Sequence, residues 1–476
     1  MSATIPELAH PPGVVRLPHQ RDVPLTRRIA EVIDHPAFQR LRQVRQLGPI
    51  HLVYPGAVHT RFEHSLGVYD MAGSYLRALR RDPNVDESLT EQDILCCLLA
   101  ALLHDIGHYP FAHSLEAVHL PGSDTPRHED LAADIILGRV PQLAGERSLG
   151  AIIEDLFPVS AQDVADLITQ RSTSHGRPER RLVASIISSG IDADKADYLE
   201  RDSLHMGVPY GRHFDRARLT DSLCTNVAGD RIAVTSKGRV SAETFIFSRY
   251  TMFSEAYWHH TVRAVSCMVE HALTDYRRRE QPALIDLTRR LLASSDDELL
   301  ASLAAHAPED SSTRSLLSAL TASRRDLYKR VLTLSRVYDD LNTQNAWERI
   351  YHLDRPALTA LCAELATELG ALSGLELRPW EVLVDTPPRD KDRLETIDVI
   401  SRVGGRPHAE PLDAISRIVQ GVATDFVKVV KRIRVFVHPR VRAALDERDL
   451  THAVRERLLD RILAFNPEPS PQQRLF

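Results

Sequence analysis

Two imidazoles and two carboxylates, His64, His104, Asp105 and Asp194, are the residues best equipped for chemistry in this sequence. Neutral imidazole with carboxylate suits a magnesium-like or first-row divalent ion and leaves coordination positions for water and a phosphate oxygen. Metal-dependent hydrolysis is the chemistry such a set supports. A lone His-Asp dipeptide is commonly chance, and a lone histidine is more often a hydrogen-bonded side chain than a ligand. The weight comes from the combination: a His-Asp pair ending an apolar helix, a second histidine upstream and an aspartate downstream.

The surrounding segments read as helices. Thr60 with Glu63 has the form of a capping box opening a helix through Phe62, Leu66, Ala72 and Leu76, with Arg61 and His64 on one face near its start. Thr90 and Asp93 repeat the pattern before the apolar run from Ile94 to Leu103, which turns polar only at His104-Asp105. Adjacent helical residues differ by about 100° in direction, so this pair can approach one ion from neighbouring edges. Gly107 and Pro110 are expected to close that helix. Downstream, Asp194, Tyr198 and Asp202 form a polar stripe suited to lining a cavity.

At 476 residues, 43% of them hydrophobic, the chain is long enough for one large helical core and a smaller appendage. No apolar run reaches the length needed to cross a bilayer, and the opening Met1 to Pro6 lacks the basic and apolar parts of a signal peptide, so a cytoplasmic protein is expected. Cys96, Cys97, Cys224, Cys267 and Cys362 show no metal-ligand spacing and read as reduced core residues. A net charge of −6 argues against broad attraction to nucleic acid. The basic stretches at Lys428, Lys431, Arg432 and Arg434 and at Arg277-Arg278-Arg279 leave a local contact open, but are expected as solvated faces.

The first 20 residues, punctuated by proline and histidine, read as irregular or weakly extended. Helices dominate from about Thr26 to Tyr276, interrupted by a loop near Pro121-Gly122-Ser123-Asp124 and a hairpin between 231–234 and 239–240. Amphipathic helices continue past Pro282 to about Leu369, followed by β-rich runs at 382–385, 395–400 and 433–437 around a helix near 411–427. The expected fold is mainly α, with a helical core over 1–275, a helical extension over 276–371 and a small α+β subdomain over 372–476.

Taken in order, Gln39-Arg40-Leu41-Arg42, Gln46-Leu47-Gly48, Tyr54-Pro55-Gly56-Ala57, Arg61-Phe62-Glu63-His64-Ser65-Leu66-Gly67, His104-Asp105-Ile106-Gly107-His108, Pro110-Phe111-Ala112-His113, His128-Glu129 and Asp192-Ala193-Asp194-Lys195 carry a resemblance. The chain resembles the HD-domain deoxynucleoside triphosphate triphosphohydrolases, the group that includes the human SAM-and-HD-domain enzyme and its bacterial relatives. The likeness is dense over residues 13–275 and thinner from 382 to 439. It implies an HD-domain helical core and cleavage of a deoxynucleoside triphosphate between the 5′ oxygen and the α-phosphorus, releasing a deoxynucleoside and inorganic triphosphate. It assigns His64, His104, Asp105 and Asp194 to a divalent ion such as magnesium, manganese or iron, and Arg61, Lys195 and Tyr198 to the phosphates. Gln46 and Asp202 are assigned to the sugar 3′ hydroxyl, Leu47 to the sugar face, and Tyr257 to the space beside the 2′ carbon, where a ribose hydroxyl would be excluded. Tyr257 also reads as a core aromatic of a long amphipathic helix.

The departing 5′ oxygen needs a proton, for which His108, His113 and His128 are candidates. His113 has Glu116 three residues on, spaced to orient its ring, and is expected to be the acid. His108 follows His104 by four residues, which points it back toward the metal and the phosphate. His128 joins the proton network, or else is a helix-start residue beside Glu129-Asp130.

The resemblance also implies a homo-oligomer, a dimer or tetramer. In some relatives nucleotides bound between subunits switch activity on. Asp34, Gln39 and Arg42 match residues of that guanine-nucleotide site, and Arg218 matches a further phosphate contact. The family's Asp-Pro-x-His-Gly segment is replaced here by Arg16-Leu17-Pro18-His19-Gln20-Arg21-Asp22, and Thr235 stands where activated animal enzymes carry arginine. These departures weigh against nucleotide activation and leave assembly untouched. Two other readings stay open: an HD-superfamily phosphohydrolase acting on a monophosphate or an alarmone, and a catalytically silent oligomer that binds nucleotides or nucleic acid. The intact ligand and proton-donor set speaks against the silent module.

Overall fold

A computed structural model describes residues 5–9, 13–18, 21–116, 127–170, 176–281, 284–337, 340–387, 395 and 397–466. Helices take up 64% of the described residues, in line with the mainly α expectation. The expected loop at 121–124 lies outside the described residues, as do parts of the expected irregular start. Where that start is described, Gly13–Leu17 (β1) and Arg21–Leu25 (β2) pair antiparallel.

The helices α1 (Arg61–Leu79), α2 (Glu91–Leu103), α3 (His128–Ile136) and α4 (Ala193–Met206) carry the candidate site. From Asp93 to Leu103 every residue of α2 is buried, which its unbroken apolar run requires. Its start is fixed by the expected capping box: Thr90 Oγ1 accepts from the Asp93 amide at 3.2 Å, and Asp93 Oδ2 accepts from the Thr90 amide at 3.1 Å. The matching box at α1 does not form. Thr60 stands at the N-cap without a side-chain cap bond, and the Glu63 carboxylate turns to Arg201 and His205 of α4, where a guanidinium outcompetes a backbone N–H. Helix α2 also ends earlier than expected, with His104 as its C-cap and Asp105 in the turn beyond.

Two glycines set the helix spacing around that turn. A Cβ on Gly67 of α1 would overlap the Asp197 carboxylate and the Arg201 guanidinium of α4, and one on Gly107 would overlap the backbone of His128 and Ala132 on α3. Only a residue without a side chain permits these approaches.

The expected hairpin at 231–240 is not present. Leu223–Thr225 (β3) pairs with Ile232–Thr235 (β4), while Arg239 already begins a helix. Lys329–Leu334 (β5), expected within the helical extension, is a strand. With Val382–Asp385 (β6), Asp398–Val403 (β7), Arg406–Pro411 (β8) and Ile433–Val437 (β9), these strands form one sheet of order β3-β4-β7-β8 and another of order β5-β9-β6. The parallel pairing of Val234 with Val399 and Thr235 with Ile400 stitches the C-terminal strands to the helical core.

Packing divides the chain inside the expected 276–371 extension. Leu291, Leu299 and Leu316 join the large apolar core, whereas Trp347 and Leu365 pack with β5, β6 and β9 in a second cluster. The basic runs are solvated only in part: Lys428 and Arg278 are exposed, but Lys431 is 0% exposed with its ammonium 5.8 Å from the Tyr351 ring centre, and Arg434 and Arg277 are buried. Among the described residues no helix is long and apolar enough to cross a membrane.

Asp296 opens helix α5 (Asp296–His306) and accepts the Arg45 backbone N–H at 2.8 Å, tying that helix to the chain entering α1. Burial pushes its carboxyl up to about 6, against the pull of Arg45. Because this folded-state value exceeds the ~3.9 of an unfolded aspartate, the group's contribution to stability is present at low pH and is lost as pH rises through that interval. Asp296→Asn removes the titration. The unfolding free energy of the variant relative to the parent should therefore rise by about 1–3 kcal/mol between pH 4 and pH 7 in urea titrations; a difference independent of pH would contradict this account.

Candidate metal centre

His64, in the first turn of α1, is 1% exposed, and its Nε2 lies 3.0 Å from Asp194 Oδ1 and 3.9 Å from Asp105 Oδ2. His104 Nε2 lies 3.4 Å from Asp105 Oδ1 and 3.8 Å from Asp194 Oδ1. Ligand atoms around an ion with bonds of about 2.1 Å are separated by roughly 3–3.5 Å, so modest closure would complete a coordination shell. The structure thus brings ligand atoms of His64, His104 and Asp105 within 4.8 Å of one another, with Asp194 beside both imidazoles.

Both rings are fixed from behind. His64 Nδ1 donates to Asp197 Oδ2 at 2.9 Å, and His104 Nδ1 donates to the Ala101 carbonyl at 2.9 Å, which turns an Nε2 lone pair of each ring toward the carboxylates. His104 Nε2 is buried without a hydrogen-bond partner. A buried lone pair facing carboxylate oxygens is unfavourable unless a cation lies between them. Burial opposes charge on His64, yet Asp194 and Asp197 raise its proton affinity to about 10, so the pocket calls for a positive charge at this nitrogen. Burial would likewise raise Asp105, but the surrounding imidazoles and Arg61 hold it well below the usual carboxylate range. The donor set therefore fits a divalent ion.

Arg61 Nη1 donates to Asp105 Oδ2 at 2.6 Å, while its Nε is buried without a partner. Arg40 braces the turn after α2 by donating to the carbonyls of Ile106 at 2.6 Å and His108 at 2.7 Å. The imidazoles of His108 and His128 sit 3.8 Å apart between ring centres, with His113 at 5.3 and 5.6 Å from them. Burial first, and Arg61 next, pull the proton affinity of His108 well below that of an ordinary imidazole. Sequence spacing pairs Glu116 with His113, but the close bonds go to His128. Glu116 Oε1 accepts from His128 Nδ1 at 2.8 Å and from its backbone N–H at 2.9 Å, whereas His113 Nδ1 is 3.9 Å from Oε2. The short helix Ala112–Glu116 ends at this carboxylate, leaving it able to cap the start of α3.

Asp202 accepts from Tyr257 Oη at 2.6 Å and from His59 Nε2 at 2.7 Å. Tyr257 ends the π-helical turn Met252–Tyr257 and packs partly buried against the core while its hydroxyl bonds Asp202. Gln46 has a buried Oε1 without a partner, and Leu47 is half-buried against the core. Lys195, assigned to phosphate, bonds Asp192 Oδ2 at 2.6 Å, and Tyr198 is half-buried on the same helix. Of the regulatory candidates, Arg42 donates to Gln39 Oε1 at 2.7 Å, Asp34 is exposed, and Arg218 is exposed on the separate helix Arg216–Asp221.

Sequence reasoning missed His59 and the chain of contacts behind the ligands. Asp197 accepts from Arg201 Nε at 2.8 Å, Arg201 also reaches Glu63, and Glu63 bonds His205 Nε2 at 3.0 Å. His205 stacks on His59 with ring centres 4.3 Å apart. Asp197 was detectable three residues after Asp194, on the same helix face. His59 lies in an irregular segment and carried no periodic signal.

The family described as HD domain matches residues 61–202, which hold all four candidate ligands, and the one described as HD associated region matches residues 214–454. The chain belongs to the HD-domain family. Similar proteins include an uncharacterized protein of Methanocaldococcus jannaschii, 30% identical over 86% of this chain and 76% of its own length. The uncharacterized protein YwfO of Bacillus subtilis is 37% identical over 55% of this chain and 54% of its own. The deoxynucleoside triphosphate triphosphohydrolase SAMHD1 of Gallus gallus is 31% identical over 51% of this chain and 42% of its own. The chain thus spans about half the length of the Bacillus protein and less than half of the chicken enzyme. A hypothetical protein from Aquifex aeolicus shares the fold, with a TM-score of 0.65, 25% identity, and coverage of 94% of this chain and 99% of its own.

Because Asp197 fixes the ring of His64, Asp197→Asn should weaken divalent-ion binding by roughly 10- to 100-fold while circular dichroism stays that of the parent. Metal content after equilibrium dialysis checks this, and undiminished affinity would remove Asp197 from the centre.

Proposed function

We propose that this HD-domain protein hydrolyses deoxynucleoside triphosphates to deoxynucleosides and inorganic triphosphate. The observation carrying the reading is the convergence of two imidazole lone pairs and two carboxylates beside Arg61, with Asp202 and Tyr257 hydrogen-bonded to each other on α4 and the turn before His259. The partial likeness to SAMHD1 supports the substrate class. A divalent ion held by His64, His104, Asp105 and Asp194 would supply Lewis-acid polarisation of a phosphate and activation of water.

The chain's own residues do the rest. Arg61 holds phosphate oxygens through the guanidinium edge that Asp105 leaves free, and Lys195 adds positive charge beside Tyr198. Asp202 keeps lone pairs for the sugar 3′ hydroxyl although His59 and Tyr257 already donate to it. The Tyr257 ring crowds the 2′ position, and Gln46 and Leu47 bound the sugar from the other side. His113, with a side chain 59% exposed, delivers a proton from Nε2 to the departing 5′ oxygen, while Glu116 and His128 restore it. His108, neutral and packed against His128, faces the phosphate. Homo-oligomeric assembly, a cytoplasmic location and a regulatory nucleotide near Asp34, Gln39, Arg42 and Arg218 belong to the same reading through the family resemblance.

Incubation with a nucleotide panel and ion chromatography of the products tests it. Inorganic triphosphate from deoxynucleotides is expected; orthophosphate from monophosphates or pyrophosphate from an alarmone would replace the substrate class, and no product would favour a binding module. His104→Ala should remain folded and lose both ion and turnover, whereas His113→Ala should keep the ion and slow turnover by roughly 10²- to 10⁴-fold. Equal rates in parent and His104→Ala would end the assignment.

A further inference from the structure

A cavity of about 580 Å³ lies at the edge of the sheet β5-β9-β6, remote in sequence from every residue of the metal centre. Four arginines line it: Arg330 on β5, Arg432 just before β9, Arg442 on helix α6 (Pro439–Glu447) and Arg455 on helix α7 (Thr451–Ala464). In a chain of net charge −6 this concentration of one residue type is against the average. Arg442 is matched by Asp446 at 2.8 Å and Arg455 by Asp340 at 3.4 Å. Arg330 and Arg432 have no carboxylate partner among the described residues, so the cavity keeps an excess of positive charge.

Other features of the wall favour an oxyanion. Arg442 Nη1 donates to the Arg330 carbonyl at 3.3 Å, which holds one guanidinium against the outer edge of β5. Thr451, the first residue of α7, lines the cavity, and that helix start has no side-chain cap, leaving its N–H groups available. The hydroxyls of Thr333 and Ser335 complete the rim. Of the lining arginines, Arg330 also acts on His260, which burial first, then His259, Arg330 and Arg434, lower to about 4.

We propose that this cavity is a binding site for a phosphate chain, a triphosphate group that is either free or the tail of a nucleotide. Guanidinium forks from separate strands and helices suit several phosphoryl groups in a row better than a single carboxylate, and the volume falls in the range of about 300–1,000 Å³ usual for small-ligand sites. The site is separate from the metal centre and does not depend on the proposed reaction. None of the regulatory positions suggested by the family resemblance lies in its wall.

Calorimetric titration of the full chain carrying Arg61→Ala, in the presence of EDTA, tests this with inorganic triphosphate and with dATP as separate ligands. Saturable binding is expected, and adding Arg330→Gln with Arg432→Gln should weaken it at least 10-fold with an unchanged melting temperature. Arg330→Gln alone, on an exposed side chain, should weaken it several-fold and serves if the double variant fails to fold. Equal affinities for the two ligands identify the phosphate chain as the recognised group, and tighter binding of dATP identifies a nucleotide. No saturable binding of either, or binding unaffected by these substitutions, overturns the proposal.

Discussion

The concentration of donor atoms between α1, α4 and the end of α2 is the constraint on which the rest depends. Two imidazole lone pairs and two carboxylates share a pocket from which water is largely excluded, and the Asp105 side chain is held there as an anion. Such an arrangement is unfavourable by itself and becomes favourable with positive charge at its centre. Arg61 supplies part of that charge through its 2.6 Å bond to Asp105, and the geometry of both rings leaves the remainder to an ion. Gly67 and Gly107 matter for this reason: they allow the backbones to come close enough for the four side chains to meet.

A continuous set of contacts joins the ion site to the region assigned to the sugar. His64 leans on Asp197, Asp197 on Arg201, Arg201 on Glu63, Glu63 on His205, and His205 stacks against His59, which holds Asp202. Charge-assisted bonds in a buried setting are strong and directional, so displacement at one end is resisted at the other. Glu63 gives up its helix-capping role to take part. A local rule yields here to a tertiary requirement.

The C-terminal third is bound to the core through ions as well as through strands. Asp385 at the end of β6 accepts from Arg263 at 2.5 Å, and Glu270 accepts from Arg355 at 2.6 Å, both partners being on the helix His260–Glu280 or facing it. That helix follows directly after Tyr257, so the sheet of β5, β6 and β9 braces the segment that presents this ring. The arginine-lined cavity opens at the free edge of the same sheet.

Much of the core was legible in the sequence. The apolar run of α2 determined its burial, Thr90 and Asp93 its start, and the spacing of chemical groups along α4 which of them share a face. The four candidate ligands could be named because a His-Asp pair ending an apolar helix stands with a second histidine upstream and an aspartate downstream. Contacts between side chains distant in sequence could not be read. Whether Glu116 serves His113 or His128, whether Glu63 caps its own helix or pairs with Arg201, and whether Lys431 is solvated or buried depend on which elements pack together. The strand at 329–334 was hidden for the same reason, since its partner lies about a hundred residues away at 433–437. Local pattern fixes which way a side chain points along its own element; only packing decides what it meets there.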